Sequence, residues 1–102
     1  MTLLPVFLHI ESSPNLQESQ AFQQYIGLAP QLMQQYGGVP IASYDVEEAL
    51  DGGRSPKAFV VVSFPDREAI YAFFNDPAYQ AIIPLRDKAF AHLRFFITSE
   101  RI

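Results

Sequence analysis

The chain contains no cysteine. That excludes a disulfide framework, thiolate chemistry and any metal site built on sulfur. Histidine is scarce as well. His9 and His92 are the only two in 102 residues, and their separation matches no metal-ligand spacing. The sequence therefore predicts neither a metal nor another cofactor. Basic residues are few: seven Lys and Arg stand against eleven Asp and Glu, for a net charge of −4. Nucleic acids and anionic membrane surfaces are bound chiefly through Lys and Arg, so neither is an expected partner. Long apolar runs are missing too. The opening stretch from Leu3 to Ile10 is interrupted by Pro5, is too short to span a bilayer and lacks the basic flank of a signal peptide. The default expectation is a cytoplasmic protein.

What is present is aromatic and aliphatic. Hydrophobic residues make up 49% of the chain, with nine Phe and five Tyr among them. The length suits one domain, 1–102. A domain of this size buries only about two-thirds of the surface that its unfolded chain exposes, so further burial by self-association is favourable.

The hydrophobic pattern alternates, then turns helical, twice over. From Leu3 to Glu11, Leu4, Val6, Leu8 and Ile10 fall on one face of a strand, with Phe7, His9 and Glu11 on the other. Ser12-Ser13-Pro14-Asn15 then reads as a helix start, with Glu18 completing a capping box. Phe22, Tyr25, Ile26, Ala29, Leu32, Met33 and Tyr36 recur at helical spacing. Pro30 is expected to kink or split that helix, and Gly37-Gly38 to end it. A second strand is predicted over Val39 to Glu47 and a third over Lys57 to Phe64. Between them lies a turn-rich loop around Asp51-Gly52-Gly53, a hairpin turn rather than a phosphate-binding loop. Asp66 is the predicted cap of a helix carrying Ile70, Phe73 and Phe74. Asp76-Pro77 restarts it, with Tyr79, Ile82, Ile83, Arg86 and Phe90 on one face. A last strand is predicted over His92 to Thr98.

The order β-α-β-β-α-β predicts an α+β, ferredoxin-like fold: a four-stranded antiparallel sheet with its helices on one face. Phe7, Phe59, Val61 and Phe96 then fall on the uncovered face, among His9, Glu11, His92 and Arg94. An apolar patch of that kind marks an interaction surface. A second copy is the expected cover, giving a homodimer paired through the sheet face as a dimeric α+β barrel, with a small-molecule cavity on that face.

Certain stretches carry a family resemblance. Tyr25 with Gly37-Gly38, Leu50-Asp51-Gly52, Phe64-Pro65-Asp66, Asn75-Asp76-Pro77-Ala78-Tyr79-Gln80-Ala81 and Pro84-Leu85-Arg86 resemble the family named domain of unknown function 1330. It belongs to the dimeric α+β barrel superfamily. The similarity runs from Phe22 to Thr98 and is most specific between Phe64 and Arg86. It implies a ferredoxin-like subunit pairing through its sheet and implies no activity. Two positions depart from the family pattern. Ser63 stands where an acid is usual before the Phe-Pro pair, and Glu11-Ser12-Ser13-Pro14 follows the first strand where Asp is usual.

Candidate ligand-binding residues are Tyr25, Tyr79, Arg86, His9 and Arg94. The guanidinium of Arg86, on an otherwise apolar helical stripe beside Tyr79, could clamp a carboxylate or phosphate, or form a structural pair with a carboxylate. Tyr79 and Tyr25 could offer hydroxyls to a ligand, or pack their rings and satisfy those hydroxyls locally. His9 and Arg86 are the candidates for catalysis, His9 as an acid or base. Arg94 could instead pair with Glu11 across neighbouring strands. Three functional classes fit this pattern: a binder or enzyme using a barrel cavity, a non-catalytic dimerisation module, and an RNA-binding ferredoxin-like domain. The last rests on the partial recognition motif Lys57 to Phe64 with Val6-Phe7-Leu8, and lacks that motif's glycines.

Overall fold

Alternation in the first strand sets the layers. Within β1 (Val6–Pro14), Leu8 is fully buried, as are Val62 and Phe64 of β3 (Ala58–Phe64). Their neighbours Phe7, His9, Val61 and Phe59 point to the opposite face. The computed structural model describes residues 4–101. Leu3, the expected first residue of β1, lies outside them. Two further strands, β2 (Val39–Asp45) and β4 (Phe90–Thr98), complete a sheet of order β2-β3-β1-β4, antiparallel at every pairing. This is the expected α+β topology.

The helices pack on the face that carries Leu8, Val62 and Phe64. Helix α1 (Ser19–Gln35) buries Ala21, Tyr25, Ala29 and Met33, a four-residue spacing that keeps one stripe on the sheet. Pro30 does not split it. One backbone bond is lost there, and the turn is held by Ala29 and Met33 on the buried side and by the Gln31 side chain, which donates to the Gly27 carbonyl at 3.0 Å. The helix ends where Gly37 takes φ +83° and Gly38 N–H returns to the Met33 carbonyl at 2.9 Å, the bonding of a left-handed cap. Gly38 is glycine for a steric reason. A Cβ there would lie 2.8 Å from the Phe64 ring.

Short helices α2 (Arg67–Asn75), α3 (Pro77–Ala81) and α4 (Ile83–Ala89) follow β3. Asp66 caps α2 by accepting from Ala69 N–H at 2.8 Å, and Asp76 caps α3 by accepting from Ala78 N–H at 2.7 Å. Both caps are as the sequence predicts.

Three boundaries differ from expectation. Ser12 to Pro14 extend β1 rather than opening a helix, because they pair with Leu93, His92 and Phe90 of β4. Asn15 caps a single 3-10 turn, Leu16–Glu18, and Glu18 pairs with Lys88 at 3.8 Å instead of closing a capping box. Phe90 begins β4 rather than ending a helix, and its ring lies edge-on to Phe22 and Tyr25 at 5.5 and 5.4 Å. The Cα extents of 47 × 36 × 16 Å leave depth for one sheet and one helix layer.

Candidate functional site

Three of the five candidate ligand-binding residues meet in the helix layer. Tyr79 on α3 and Tyr25 on α1 bring their hydroxyl oxygens to 2.9 Å. Arg86 on α4 donates from Nη1 to the Tyr79 hydroxyl at 3.3 Å, and its guanidinium carbon lies 5.9 Å from the centre of the Tyr79 ring. Tyr79 is fully buried, between Phe73 at 4.4 Å and Phe74 at 5.4 Å. Its ring thus packs in the core while its hydroxyl sits in a short polar line. Arg86 also donates from Nε to the Asp87 carboxylate at 3.2 Å. Burial pushes the Tyr25 phenol well above the ordinary tyrosine range, and the adjacent Tyr79 pushes it further, against a smaller opposing pull from Arg86. Tyr25 is therefore a neutral hydrogen-bonding hydroxyl. Burial disfavours the charge on Arg86, but its bonds to Tyr79 and Asp87 outweigh that, so it stays a cation.

Beside this line, α1 stands off the sheet and leaves a cavity of about 260 Å³. Its walls are Phe22, Tyr25, Ala29 and Met33 from α1 and Ile10, Val60 and Phe95 from the sheet, with Ser12 as a further polar wall. It contains no histidine or carboxylate among its lining residues. A second depression, a groove of about 380 Å³ along β4, is lined by Arg86, Asp87, His92 and Arg94. β4 is an edge strand, so this groove runs beside unpaired backbone.

His9 and Arg94 do not join the Tyr25 line. Strand parity puts both on the open face, with the sheet between them and Tyr25. There His9 lies opposite Phe96 and Val61 in the strand register and borders two shallow depressions. The five candidates thus fall in two places, Tyr25, Tyr79 and Arg86 in the helix layer and His9 and Arg94 on the open face. The cavity under α1 is the more enclosed space, and it is on the other side. Glu11 and Arg94 meet across neighbouring strands as expected, without a side-chain ion pair. The two are register partners, but the Glu11 carboxylate accepts a hydrogen bond from the diagonal His92 at 3.2 Å, and Arg94 lies over the Phe96 ring at 4.7 Å. No cluster of three or more His, Cys, Asp or Glu side chains that could hold a metal occurs among the described residues. No helix there is long and apolar enough to cross a membrane.

The profile of the family described as domain of unknown function (DUF1330) matches residues 9–99. The chain belongs to that family. The match starts earlier than the resemblance read from Phe22 onward, and it takes in most of β1 and the whole helix layer. No curated protein matches this DUF1330 chain. Solved structures share its fold. A protein of unknown function from Rhodopseudomonas palustris has a TM-score of 0.82 at 16% identity, over 97% of this chain and 84% of its own. SnoaB, a cofactor-independent oxygenase from Streptomyces nogalater, has a TM-score of 0.69 at 8% identity, over 98% and 96%. A Dabb family protein with a ferredoxin-like fold from Mesorhizobium loti has a TM-score of 0.69 at 9% identity, over 98% and 100%. Identities this low carry the fold alone.

Sequence reasoning missed the cavity. In the sequence its walls Phe22, Tyr25, Ala29, Met33 and Val60 read one by one as core residues. Nothing in a helical stripe says how far the helix stands from the strands. The only local sign is smallness, since Ala29, Ala58 and Gly38 line the space and add little side chain to fill it.

Proposed function

We propose that this DUF1330 protein binds a small, largely apolar molecule between α1 and the sheet, and that it does so as a homodimer paired through its open sheet face. The cavity under α1 carries the reading. A concave, mainly apolar space with few polar groups is the usual form of a small-molecule site. At about 260 Å³ it exceeds the roughly 150 Å³ that holds a benzene ring. Ligand binding through Tyr25 is part of the proposal, with Tyr79 and Arg86 behind it. His9 and Arg94 belong to the open face and to its pairing.

Two fold relatives bear oxygenase names, SnoaB and a putative antibiotic biosynthesis monooxygenase from Nitrosomonas europaea. They support a fold that proteins with such names share. The reading stops at binding, because the polar groups at the cavity wall are a phenol and a serine hydroxyl.

The pairing is supported by Phe7, Phe59, Val61 and Phe96, which share the face that no helix covers, with Phe59 37% exposed. A twin sheet would remove them from water at about 25 cal/mol per Å² of apolar area.

Titration with tetralin, a hydrocarbon probe, tests the binding half. Amide chemical shifts are expected to move along α1 and at the Ala58–Val62 end of β3, with saturation. Shifts absent at millimolar tetralin, or confined to the open face, would overturn it.

A further inference from the structure

We infer that Tyr25 presents a free hydroxyl proton at the cavity wall, so the ligand is an apolar ring compound that carries an acceptor oxygen at that point. This rests on the cavity reading above and adds the ligand's polarity to it.

The argument is a count of protons. Arg86 has donors and no acceptor. Its Nη1 faces the Tyr79 hydroxyl at 3.3 Å, so the Tyr79 oxygen accepts there and its proton cannot point that way. Tyr79 is 0% exposed, and water does not reach it. The one acceptor that the described residues offer that proton is the Tyr25 oxygen at 2.9 Å. The reverse orientation, with Tyr25 donating to Tyr79, would leave the Tyr79 proton buried without an acceptor, at the full cost of its desolvation. The line therefore runs from Arg86 to Tyr79 to Tyr25, and the proton left over is that of Tyr25.

Tyr25 borders the cavity. Phe22, Ile26, Met33 and Phe95 around it offer no oxygen to receive a proton, and the one side-chain oxygen elsewhere on that wall, the Ser12 hydroxyl, makes no hydrogen bond to Tyr25. A ketone, ether or phenolate oxygen on the ligand would complete the line. Each donor behind Tyr25 polarises the next, so a chain that begins at a cation ends in a stronger donor than a lone phenol. Arg86 and Tyr79 are positioning residues in this account, and Tyr25 is the one that touches the ligand.

The test uses 1-tetralone, an acceptor-only ketone, with tetralin as its hydrocarbon twin, on the full-length wild-type protein. The infrared carbonyl stretch of bound tetralone is expected to lie below its position in cyclohexane, as for a hydrogen-bonded ketone. Tyr25→Phe should return it to the cyclohexane position and weaken tetralone about threefold to tenfold more than it weakens tetralin. Arg86→Met opens the groove side to the Tyr79 proton, so it should reduce the shift without touching the cavity. Wild-type protein that binds tetralone with an unshifted stretch overturns the inference and leaves the cavity reading standing. If neither probe binds, the cavity reading falls and the inference falls with it. The wild-type spectrum decides the matter even if a variant fails to fold.

Discussion

Tyr36, the residue that ends α1, donates its phenolic proton to the Asp76 carboxylate 40 residues away. Asp76 also caps α3 and stands at the joint between α2 and α3. One carboxylate thus ties the end of the long helix to the start of the segment that carries Tyr79. Tyr36 pulls Asp76 below its ordinary carboxylate value, and the Ala78 amide adds to that. The same bond raises Tyr36 above the usual tyrosine range.

The pH dependence follows from those directions. The folded state holds the Asp76 proton less tightly than the unfolded state does. Its contribution is therefore complete above the unfolded value of about 3.9 and is lost as pH falls through the lower native value. Tyr36 behaves in the opposite sense. Its contribution is complete below about pH 10 and is lost as pH rises through the higher native value. Asp76→Asn keeps an N-cap side chain and removes the charge, so it should flatten the acid limb of a Tm-against-pH curve. Tyr36→Phe should flatten both limbs. Thermal melts across pH 2 to 11 check this, and acid limbs that superimpose for wild type and Asp76→Asn would contradict it.

The buried phenol pair makes a prediction about coupling. Tyr25→Phe removes the acceptor for the Tyr79 proton and leaves it unpaired in a dry core, at about 1–3 kcal/mol. Tyr79→Phe leaves the Tyr25 hydroxyl able to reach the cavity, and should cost less. In the double variant neither hydroxyl remains to be left unpaired. Its loss of stability should fall short of the sum of the two singles by about 0.5–3 kcal/mol. Urea unfolding of the four proteins measures the shortfall. Strict additivity would mean that the 2.9 Å contact contributes nothing.

Much of this architecture could be read locally. Asp66 and Asp76 stand where caps stand, Gly37-Gly38 closes α1, and the alternation of Leu8 with Phe7 and of Val62 with Val61 assigns faces correctly. The failures share one cause, which is pairing between residues distant in sequence. Ser12 to Pro14 look like a helix start until β4 lies beside them. Phe90 continues the helical spacing of Arg86 until its ring is drawn between Phe22 and Tyr25. The polar line shows the same mix. Tyr79 and Arg86 share one stripe by their spacing, whereas Tyr25 lies 54 residues away and nothing local links it to them. His9 and Arg94 lie across the sheet from them, as strand parity implies.

Gly38 offers a sharper stability test. A methyl group at this position would press on the Phe64 ring at 2.8 Å and on the Met33 carbonyl at 2.9 Å. Phe64 is 1% exposed and has little freedom to retreat. Gly38→Ala should destabilise by about 1–3 kcal/mol, as overpacking of a close-packed core does. Gly52, whose added Cβ would meet nothing within 4 Å, bears only the backbone cost of its positive φ. A chemical denaturation series should rank Gly38→Ala as the more damaging of the two.

The sheet-face pairing is tested at Phe59. This ring is the most solvent-exposed of the open-face phenylalanines and lies opposite Tyr44 and Glu11 in the strand register. In a homodimer, Phe59→Glu would bury an unpaired carboxylate between two sheets. Sedimentation at micromolar concentration should show wild type as a dimer and the variant as a monomer. Tetralin binding should survive, since the cavity lies on the other side of the sheet. A wild-type monomer would remove the pairing and leave the cavity. A dimeric Phe59→Glu protein would place the contact elsewhere on the surface.

Filling the cavity separates ligand binding from stability. Ala58 lines the space, on the same face of β3 as Val60 and Val62, and is half-buried. Leucine there extends into a void rather than into packed atoms. The overpacking penalty that applies at Gly38 therefore does not apply, and the added apolar surface is buried at about 0.8 kcal/mol per CH₂. Ala58→Leu should hold or raise Tm while weakening tetralin at least about tenfold by occupying its space. An empty space evolved for packing tolerance alone would show the stability gain with no ligand to lose. A space that holds a ligand shows both, and the two readouts come from one variant, measured by thermal melts and by titration.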